Sequence, residues 1–160
     1  MSEVRWLDDR ELRAWRSLQF MQMRLEGELA RQLAADSGLS YPDYLVLVAL
    51  TDRPDGRMRL FELAEALGWE KSRLSHQVAR MAGRELVAKE KCNSDRRGAY
   101  VVVTGHGRSV IQAAAPGHVD AVRRLFVDRL TTDQLDAIGD AAEVVLAALD
   151  QPGNAATMRG

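Results

Sequence analysis

One predicted helix of this 160-residue chain carries most of the side chains that are suited to contact another molecule. Leu74, Val78 and Met81 recur at helical spacing between positions 70 and 83, so we expect them to face inward. The polar side chains left outside donate hydrogen bonds to base edges and to phosphates. Those expected to face bases are Ser72, Arg73, His76 and Gln77, and those expected to contact phosphates are Lys71, Ser75 and Arg80. The alternative is an ordinary solvated helix face.

A second candidate group stands at the tip of a predicted β-hairpin. Positions 86–91 favour one strand and the valine-rich run Ala99–Val103 favours the other, with turn-forming residues between them. At this tip lie Asp95, Arg96 and Arg97. Adjacent arginines suit a wing that enters a DNA minor groove, where negative potential favours guanidinium groups, and Asp95 is expected to pair with one of them. The alternative is a polar tip that only keeps the hairpin soluble.

The elements around these groups predict a helix-turn-helix followed by a wing. Positions 60–67 favour a short helix, in which the small Ala64 allows a neighbouring helix to approach closely. Gly68 then turns the chain, and Leu74 locks the second helix in place. In this arrangement the second helix projects its outer face toward a major groove about 12 Å wide.

Two helices are predicted before this segment. An amphipathic helix covers 9–35, opens at an aspartate cap and ends near Gly38. A nearly all-apolar helix covers 41–50 and is expected to be buried. Ser40 is its predicted cap, and Asp43 completes a capping box.

Two more helices are predicted after the hairpin. The first is expected to begin at Thr104 and to reach Leu130, with a kink at Pro116. The last is capped by Thr131 and is predicted to end near Leu149. The apolar stripes of the first and last helices exceed what one small winged domain can cover, and such stripes normally mark an interface.

The predicted fold class is therefore mostly α with a small β-hairpin wing, a winged helix-turn-helix with N- and C-terminal dimerisation helices. An N-terminal dimerisation helix is assigned to 1–39 and a DNA-binding lobe to 40–108. C-terminal dimerisation helices are assigned to 109–150, and a flexible tail to 151–160.

The net charge of −1 conceals an uneven distribution. Positions 57–108 hold eleven Lys or Arg against six Asp or Glu, which gives +5. The remainder holds 11 Lys or Arg against 17 Asp or Glu, which gives −6. A basic centre between acidic ends is typical of a polyanion-binding module mounted on another scaffold.

Several short motifs in this region resemble the MarR family of bacterial transcription regulators. They are Leu63-Ala64-Glu65-Ala66-Leu67-Gly68, Arg80-Met81, Leu86-Val87, Asp95-Arg96-Arg97 and Val103-Thr104-Gly105-His106-Gly107. The sequence departs from the family pattern at two places. Glu85 stands where the family usually has glycine, so we expect the turn to be displaced toward Gly83. Arg59 also precedes the short helix without a Ser or Thr cap.

The resemblance implies a homodimer that binds double-stranded DNA at a pseudo-palindromic operator and regulates transcription, with repression as the expected mode. It also implies release by a small aromatic or phenolic ligand. The candidate pocket residues are Trp15, Tyr41, Tyr44 and Trp69. The alternative for these aromatic residues is ordinary core packing.

Other classes of function find less support in the sequence. His76, His106 and His118 are too scattered for a metal site, and no cofactor motif or catalytic triad stands out, so we expect no metal, no cofactor and no enzymatic activity. The single Cys92 suits a reducing cytoplasm. It is interpreted as a passive hairpin residue, with an oxidant-sensing thiolate as the alternative.

The sequence also bears on membrane and protein partners. The longest apolar run, Leu45 to Leu50, is too short to span a bilayer, so no membrane association is expected. The remaining alternative function is a winged-helix module for protein interaction or dimerisation without DNA binding.

Overall fold

The structure is a computed structural model that describes residues 4–91 and 98–151. The chain divides into two compact units, the first ending at Ala121 and the second beginning at Val122.

The first unit opens with two helices whose ends agree with the prediction. Helix α1 spans Asp9–Ser37, and Gly38 ends it in the left-handed conformation with φ 69°. Helix α2 spans Tyr41–Thr51. Ser40 and Asp43 form the predicted capping box, since each side chain accepts a hydrogen bond from the backbone N–H of the other residue.

The helix-turn-helix and the wing follow in the predicted order. Helix α3 spans Leu60–Leu67, and helix α4 spans Lys71–Gly83. Strands β2 (Val87–Lys91) and β3 (Ala99–Val103) form the antiparallel hairpin. The predicted helix pair and hairpin are therefore confirmed.

A third strand, β1 (Arg57–Arg59), was not predicted. It pairs antiparallel with β3, so the sheet order is β1-β3-β2. Three residues are too few to show a convincing alternation in sequence, but Met58 between the two arginines is buried opposite Val101. This pairing attaches the base of the wing to the start of α3.

One apolar core holds these elements together. It combines residues from the end of α1, from α2, α3 and α4, from the sheet, and from the helix after it. Its fully buried side chains include Leu33, Leu39, Val46, Leu47, Leu50, Leu63, Leu74, Val78, Met81 and Val101. Burial on this scale fixes which face of α4 remains outside.

The turn from α4 into the wing differs from the prediction. Glu85 has a φ of 59° and is the only non-glycine residue with a positive φ within the described ranges. The turn is therefore not displaced toward Gly83. Leu86 and Glu85 bond back to Met81 and Ala82 in α4, and these bonds require the left-handed residue at position 85.

Helix α5 (Gly105–Leu125) begins against the wing. Thr104 caps it as predicted, because its Oγ1 accepts a hydrogen bond from the Gly107 N–H at 2.9 Å and donates to backbone carbonyls before β2. A Cβ on Gly107 would lie 2.1 Å from the carbonyl oxygen of Leu86. Only glycine therefore allows this close approach.

The second unit contains the end of α5 and the last helix. Helix α5 runs through Pro116 but ends at Leu125, so the prediction that it reaches Leu130 is wrong. A 3₁₀ turn, Val127–Arg129, follows it, and Arg123 pairs with Asp128 at 2.8 Å to hold this turn. Helix α6 spans Thr132–Leu149 with the predicted cap at Thr131.

Two helix surfaces remain uncovered in the single chain. The first two thirds of α1 expose large apolar side chains, namely Trp15, Leu18, Phe20, Met21 and Met23. Helix α6, all of whose residues are described, buries none of them, and Val144 is 72 % exposed. In the part of the chain that the structure describes, no helix is both long and apolar enough to cross a membrane.

Candidate nucleic-acid interface

Helix α4 presents one polar face because its apolar face is locked into the core. Leu74, Val78 and Met81 are fully buried, as predicted. No side chain caps the start of α4. The first backbone N–H groups of the helix are therefore available to an external acceptor beside its polar face. The exposed side chains of the predicted set are Lys71, Ser72, Arg73, His76 and Arg80, and Ser75 is partly buried.

Gln77 is the exception, and the prediction that it faces outward is wrong. Its side chain is 4 % exposed, and its Nε2 donates a hydrogen bond to Oδ1 of Asp43 at 2.6 Å. The spacing of the apolar residues in α4 indicates this burial, because position 77 falls three residues after Leu74 and four before Met81 and so lies on the same face. A polar residue on a buried stripe must find a partner inside the protein.

Two arginines of α4 are held by neighbouring side chains. The Arg73 guanidinium lies over the Trp69 ring, 4.3 Å from the ring centroid. Nη2 of Arg80 donates a hydrogen bond to Oε1 of Gln77. Both cations are exposed, and both are ordered by groups of the same lobe. Such ordering reduces the conformational entropy that a side chain loses when it binds a ligand.

The sheet at the base of the wing adds two cationic groups that sequence reasoning missed. The guanidinium carbons of Arg57 and Arg59 lie 4.0 and 5.1 Å from the centroid of the Tyr100 ring. Arg57 also pairs with Glu90 at 3.7 Å. They were missed because β1 was not predicted, so its two outward positions were not recognised as one face with Tyr100 of β3.

The predicted residues of the wing tip lie outside the described residues. This holds for Asp95, Arg96 and Arg97, and for Cys92. Their predicted contacts and the predicted role of Cys92 stay predictions from the sequence.

The aromatic residues predicted to line an effector pocket do not converge. Tyr41 and Tyr44 both lie against His118, with ring centroids 6.3 and 4.3 Å away. Trp15 is exposed on α1, and Trp69 lies in the turn between α3 and α4, where it packs against the core. The structure therefore brings only the two tyrosines together.

Burial dominates the electrostatics of this aromatic group. It raises the pKa of Tyr41, to which the Glu26 carboxylate also contributes, and it raises the pKa of Tyr44. Burial lowers the pKa of the His118 imidazole. Both tyrosines are therefore neutral near pH 7, and the folded chain favours the neutral form of His118.

Tyr44 also lines a cleft of about 310 Å³ between α2 and α5. Its walls combine the apolar side chains of Val48, Ile111 and Ala115 with four polar ones, those of Thr51, Asp52, Arg108 and Gln112. A cleft with apolar walls, one cation and one carboxylate suits a small aromatic molecule that carries polar groups. In the described ranges, no three His, Cys, Asp or Glu residues are placed to hold a metal ion.

The fold and the exposed face of α4 define a winged helix-turn-helix protein. A model described as the MarR family matches residues 37–98. The transcriptional regulator HosA of Escherichia coli O127:H6 is 34 % identical over 96 residues, which are 60 % of this chain and 69 % of that protein.

Solved structures extend this similarity over nearly the whole chain. Sco3205, a MarR family transcriptional regulator from Streptomyces coelicolor whose structure is in complex with DNA, is 40 % identical with a TM-score of 0.89, covering 96 % of both chains. AbsC, a MarR family regulator from the same organism, is also 40 % identical, with a TM-score of 0.85 over 91 % of this chain and 98 % of that one. The chain belongs to the MarR family of transcriptional regulators.

Proposed function

We propose that the chain is a homodimeric, sequence-specific DNA-binding repressor whose α4 helices enter successive major grooves of a pseudo-palindromic operator. One observation carries the proposal: α4 turns Lys71, Arg73 and Arg80 to the surface while its opposite face is fixed in the core. Residues of this type at the start and outer face of such a helix suit phosphate contacts and base-edge hydrogen bonds.

The similarity to Sco3205 supports the same proposal. That protein is complexed with DNA, and the shared fold covers nearly all of both chains at 40 % identity. We assign base contacts to Ser72, Arg73 and His76, and phosphate contacts to Lys71, Ser75 and Arg80. The wing residues Asp95, Arg96 and Arg97 are assigned to a flanking minor groove. Gln77 is removed from the base-contacting set because it is buried.

The exposed apolar faces of α1 and α6 support the homodimer. A single chain leaves Phe20, Met23 and Val144 more than half exposed, which is unfavourable in water. We propose that residues 1–39 and 109–150 supply the dimer interface and that 40–108 is the DNA-binding lobe. An obligate interface of this kind brings two basic lobes together, about one helical turn apart along the duplex.

We also propose that the cleft beside Tyr44 takes a small aromatic effector, which favours a form of the dimer with lower DNA affinity. Arg108 would face an anionic or phenolic group of this ligand, and Val48 and Ile111 would contact its ring. We further propose that the protein has no enzymatic activity and acts in the cytoplasm, where it meets its DNA. Saturating ligand should weaken binding to the operator if the cleft is coupled to α4.

The test of DNA binding is a fluorescence-anisotropy titration of a duplex from the region upstream of the protein's own gene, against a scrambled duplex of equal length. We expect preference for the natural duplex and a steep loss of affinity between about 50 and 200 mM salt, because bound phosphates release counterions. Arg73→Ala and Arg97→Ala should weaken binding and leave the dimer intact.

Three outcomes contradict this proposal or one of its residue assignments. Equal affinity for the natural and scrambled duplexes at moderate salt would exclude sequence-specific recognition at that site. Absence of any salt-dependent binding would instead favour the alternative, a winged-helix module for protein interaction or dimerisation. Loss of the dimer in Arg73→Ala would show that this residue serves the interface rather than DNA.

A further inference from the structure

A buried carboxylate lies behind the DNA-facing surface of α4. Asp43 of α2 is 2 % exposed. Its Oδ2 accepts hydrogen bonds from the Ser40 backbone N–H at 2.9 Å and from Nη1 of Arg84 at 2.6 Å. Its Oδ1 accepts from Nε2 of Gln77 at 2.6 Å. A buried charge is tolerated only with partners of this kind, so the three donors fix the position of the carboxylate.

The charge of Asp43 determines how the Gln77 amide is turned. A carboxylate only accepts hydrogen bonds, so the amide must direct its NH₂ group toward Asp43. The carbonyl oxygen of Gln77 then faces the other way, toward the surface of α4. That oxygen accepts the hydrogen bond from Nη2 of Arg80, one turn further along the helix.

The same carboxylate also connects α4 to the end of α1. Arg84, the residue after α4, donates from Nη1 to Asp43 and from Nη2 to the carbonyl oxygen of Gly38 at 3.0 Å. Asp43 therefore lies at a junction of three elements: the end of α1, the start of α2 and the last two turns of α4. The junction thus adds polar contacts between these segments to the apolar packing that buries Leu74, Val78 and Met81.

We propose that Asp43 is a positioning residue for DNA binding, which acts through the Gln77 amide to hold the Arg80 guanidinium at the surface of α4 where it meets a phosphate. The inference rests on the proposed function. It adds that the phosphate contact depends on a buried acid of another helix. A cation that is already held in place loses less conformational entropy when it contacts DNA.

The variant Asp43→Asn tests this mechanism with almost no change in shape. Ser40 and Arg84 both donate to the Oδ2 position, so the oxygen of the new amide occupies it and the NH₂ group faces Gln77. The Gln77 amide must then rotate and present its own NH₂ group to Arg80, which is also a donor. The variant therefore removes the acceptor of Arg80 while the core stays filled.

The first readout is the salt dependence of operator binding. The slope of log affinity against log salt changes by about 0.9 for each phosphate contact, so losing Arg80 from both copies of a dimer should lower it by about 2. We expect Arg80→Ala and Asp43→Asn to lower the slope by similar amounts and the double variant to lower it no further.

Ser40→Ala is the matched control for a purely structural role. It removes the other half of the α2 capping box but leaves the Ser40 backbone N–H that donates to Asp43. We expect it to lower the thermal midpoint by about 2–4 °C, typical of a lost helix cap in a domain of this size, with the wild-type salt slope retained. If Ser40→Ala lowers the slope as Asp43→Asn does, the positioning role is overturned.

The second readout needs no DNA and separates this inference from the proposed function. In ¹⁵N relaxation of the arginine Nε groups, Arg80 should be ordered in the wild type and mobile in Asp43→Asn. Equal mobility in both proteins overturns the inference, whatever the DNA result. The two proposals can also fail separately. If Arg80 is ordered in the wild type and mobile in Asp43→Asn, but the protein does not discriminate its operator, the positioning role stands and the proposed function is overturned.

A second variant covers the case in which Asp43→Asn does not fold. Gln77→Met preserves the length of the side chain and removes both hydrogen bonds of the amide. We expect it to release Arg80 in the relaxation measurement and to lower the salt slope by the same amount as Arg80→Ala. A wild-type slope in a folded Gln77→Met protein overturns the inference.

Discussion

Two exposed cations of α4 contact neighbouring side chains that are not assigned to DNA. Trp69 provides a flat surface for Arg73, and Gln77 provides an acceptor for Arg80. The sequence predicts other roles for both neighbours: Trp69 as a residue of an effector pocket and Gln77 as a residue that contacts a DNA base. Their actual positions follow from the packing of α4 against α2 and α3, which helical periodicity alone does not show.

His118 is the residue whose protonation is expected to influence stability. It is 8 % exposed on α5, lies against Tyr44, and approaches Oε1 of Gln32 at 3.4 Å. Because burial lowers its pKa, the unfolded chain binds a proton more readily than the folded chain. Well above pH 6.5, the ordinary histidine pKa, protonation of His118 therefore does not affect the stability of the fold. As the pH falls below that value, protonation favours the unfolded chain and so destabilises the protein.

The prediction is tested by the thermal midpoint measured from pH 8 to pH 5. The wild type should lose stability below about pH 6.5, and His118→Phe should lose less over the same interval. His106→Phe, at an exposed position in the first turn of α5, is the matched control and should keep the wild-type pH dependence. The account of His118 is wrong if the two variants have parallel profiles.

At the scale of elements, the sequence predicted the helices well because their ends carry explicit signals. Asp8, Ser40 and Thr131 cap helices as expected, and Gly38 and Gly68 end α1 and α3 in the left-handed conformation. These signals depend on a few neighbouring residues and on local hydrogen bonds, so they can be recognised without tertiary information.

The elements that the sequence missed depend on distant partners. Strand β1 exists because β3 supplies its hydrogen bonds, and the early end of α5 at Leu125 depends on the 3₁₀ turn that Asp128 helps to hold. The candidate site shows the same division. The outward face of α4 was predictable from periodicity, whereas the hydrogen-bond partner of Gln77, Asp43, lies 34 residues earlier and could not be inferred from the pattern of α4.

The turn between α4 and β2 gives a prediction at this scale. Glu85 adopts a φ of 59°, which costs a residue with a Cβ about 1–2 kcal/mol. Glu85→Gly relieves this strain but makes the unfolded chain more flexible, so we expect a net gain of about 0.5–1 kcal/mol in the free energy of unfolding. Urea denaturation at a fixed protomer concentration measures it.

Glu85→Ala is the control for this turn, because alanine removes the carboxylate and keeps the Cβ. It should show no comparable gain, since the strained conformation remains. If the two variants are equally stable, backbone strain at position 85 does not limit stability and the left-handed turn has another origin.

At the scale of the whole molecule, the distribution of charge matters more than its total. The net charge of −1 combines +5 over 57–108 with −6 over the rest of the chain. We expect the acidic remainder to keep the scaffold from binding DNA indiscriminately, while the basic lobe supplies the attraction. A dimer would carry two such lobes and thereby double the number of phosphate contacts.

The dimer itself is tested by placing a charge on α6. Val144 is 72 % exposed in the single chain, and we propose that a second copy covers it. Val144→Glu should raise the dimer dissociation constant at least about ten-fold, because an unpaired carboxylate buried at an interface is costly. Sedimentation velocity over a range of protomer concentrations measures the shift.

Phe61→Glu is the matched control, since Phe61 is an exposed apolar side chain of α3, in the proposed DNA-binding lobe. It should leave the dissociation constant unchanged. Similar dissociation in both variants would place the interface elsewhere, and a wild-type protein that is monomeric at micromolar concentration would exclude the proposed assembly.

We propose, above all, that two copies of this chain read a pseudo-palindrome through their α4 helices. Hydroxyl-radical footprinting on operator DNA selected from genomic fragments tests it most directly. We expect two protected half-sites related by two-fold symmetry, with centres about 10 base pairs apart, and loss of both together in Arg73→Ala. A single asymmetric footprint, or wild-type protection by Arg73→Ala, would contradict it.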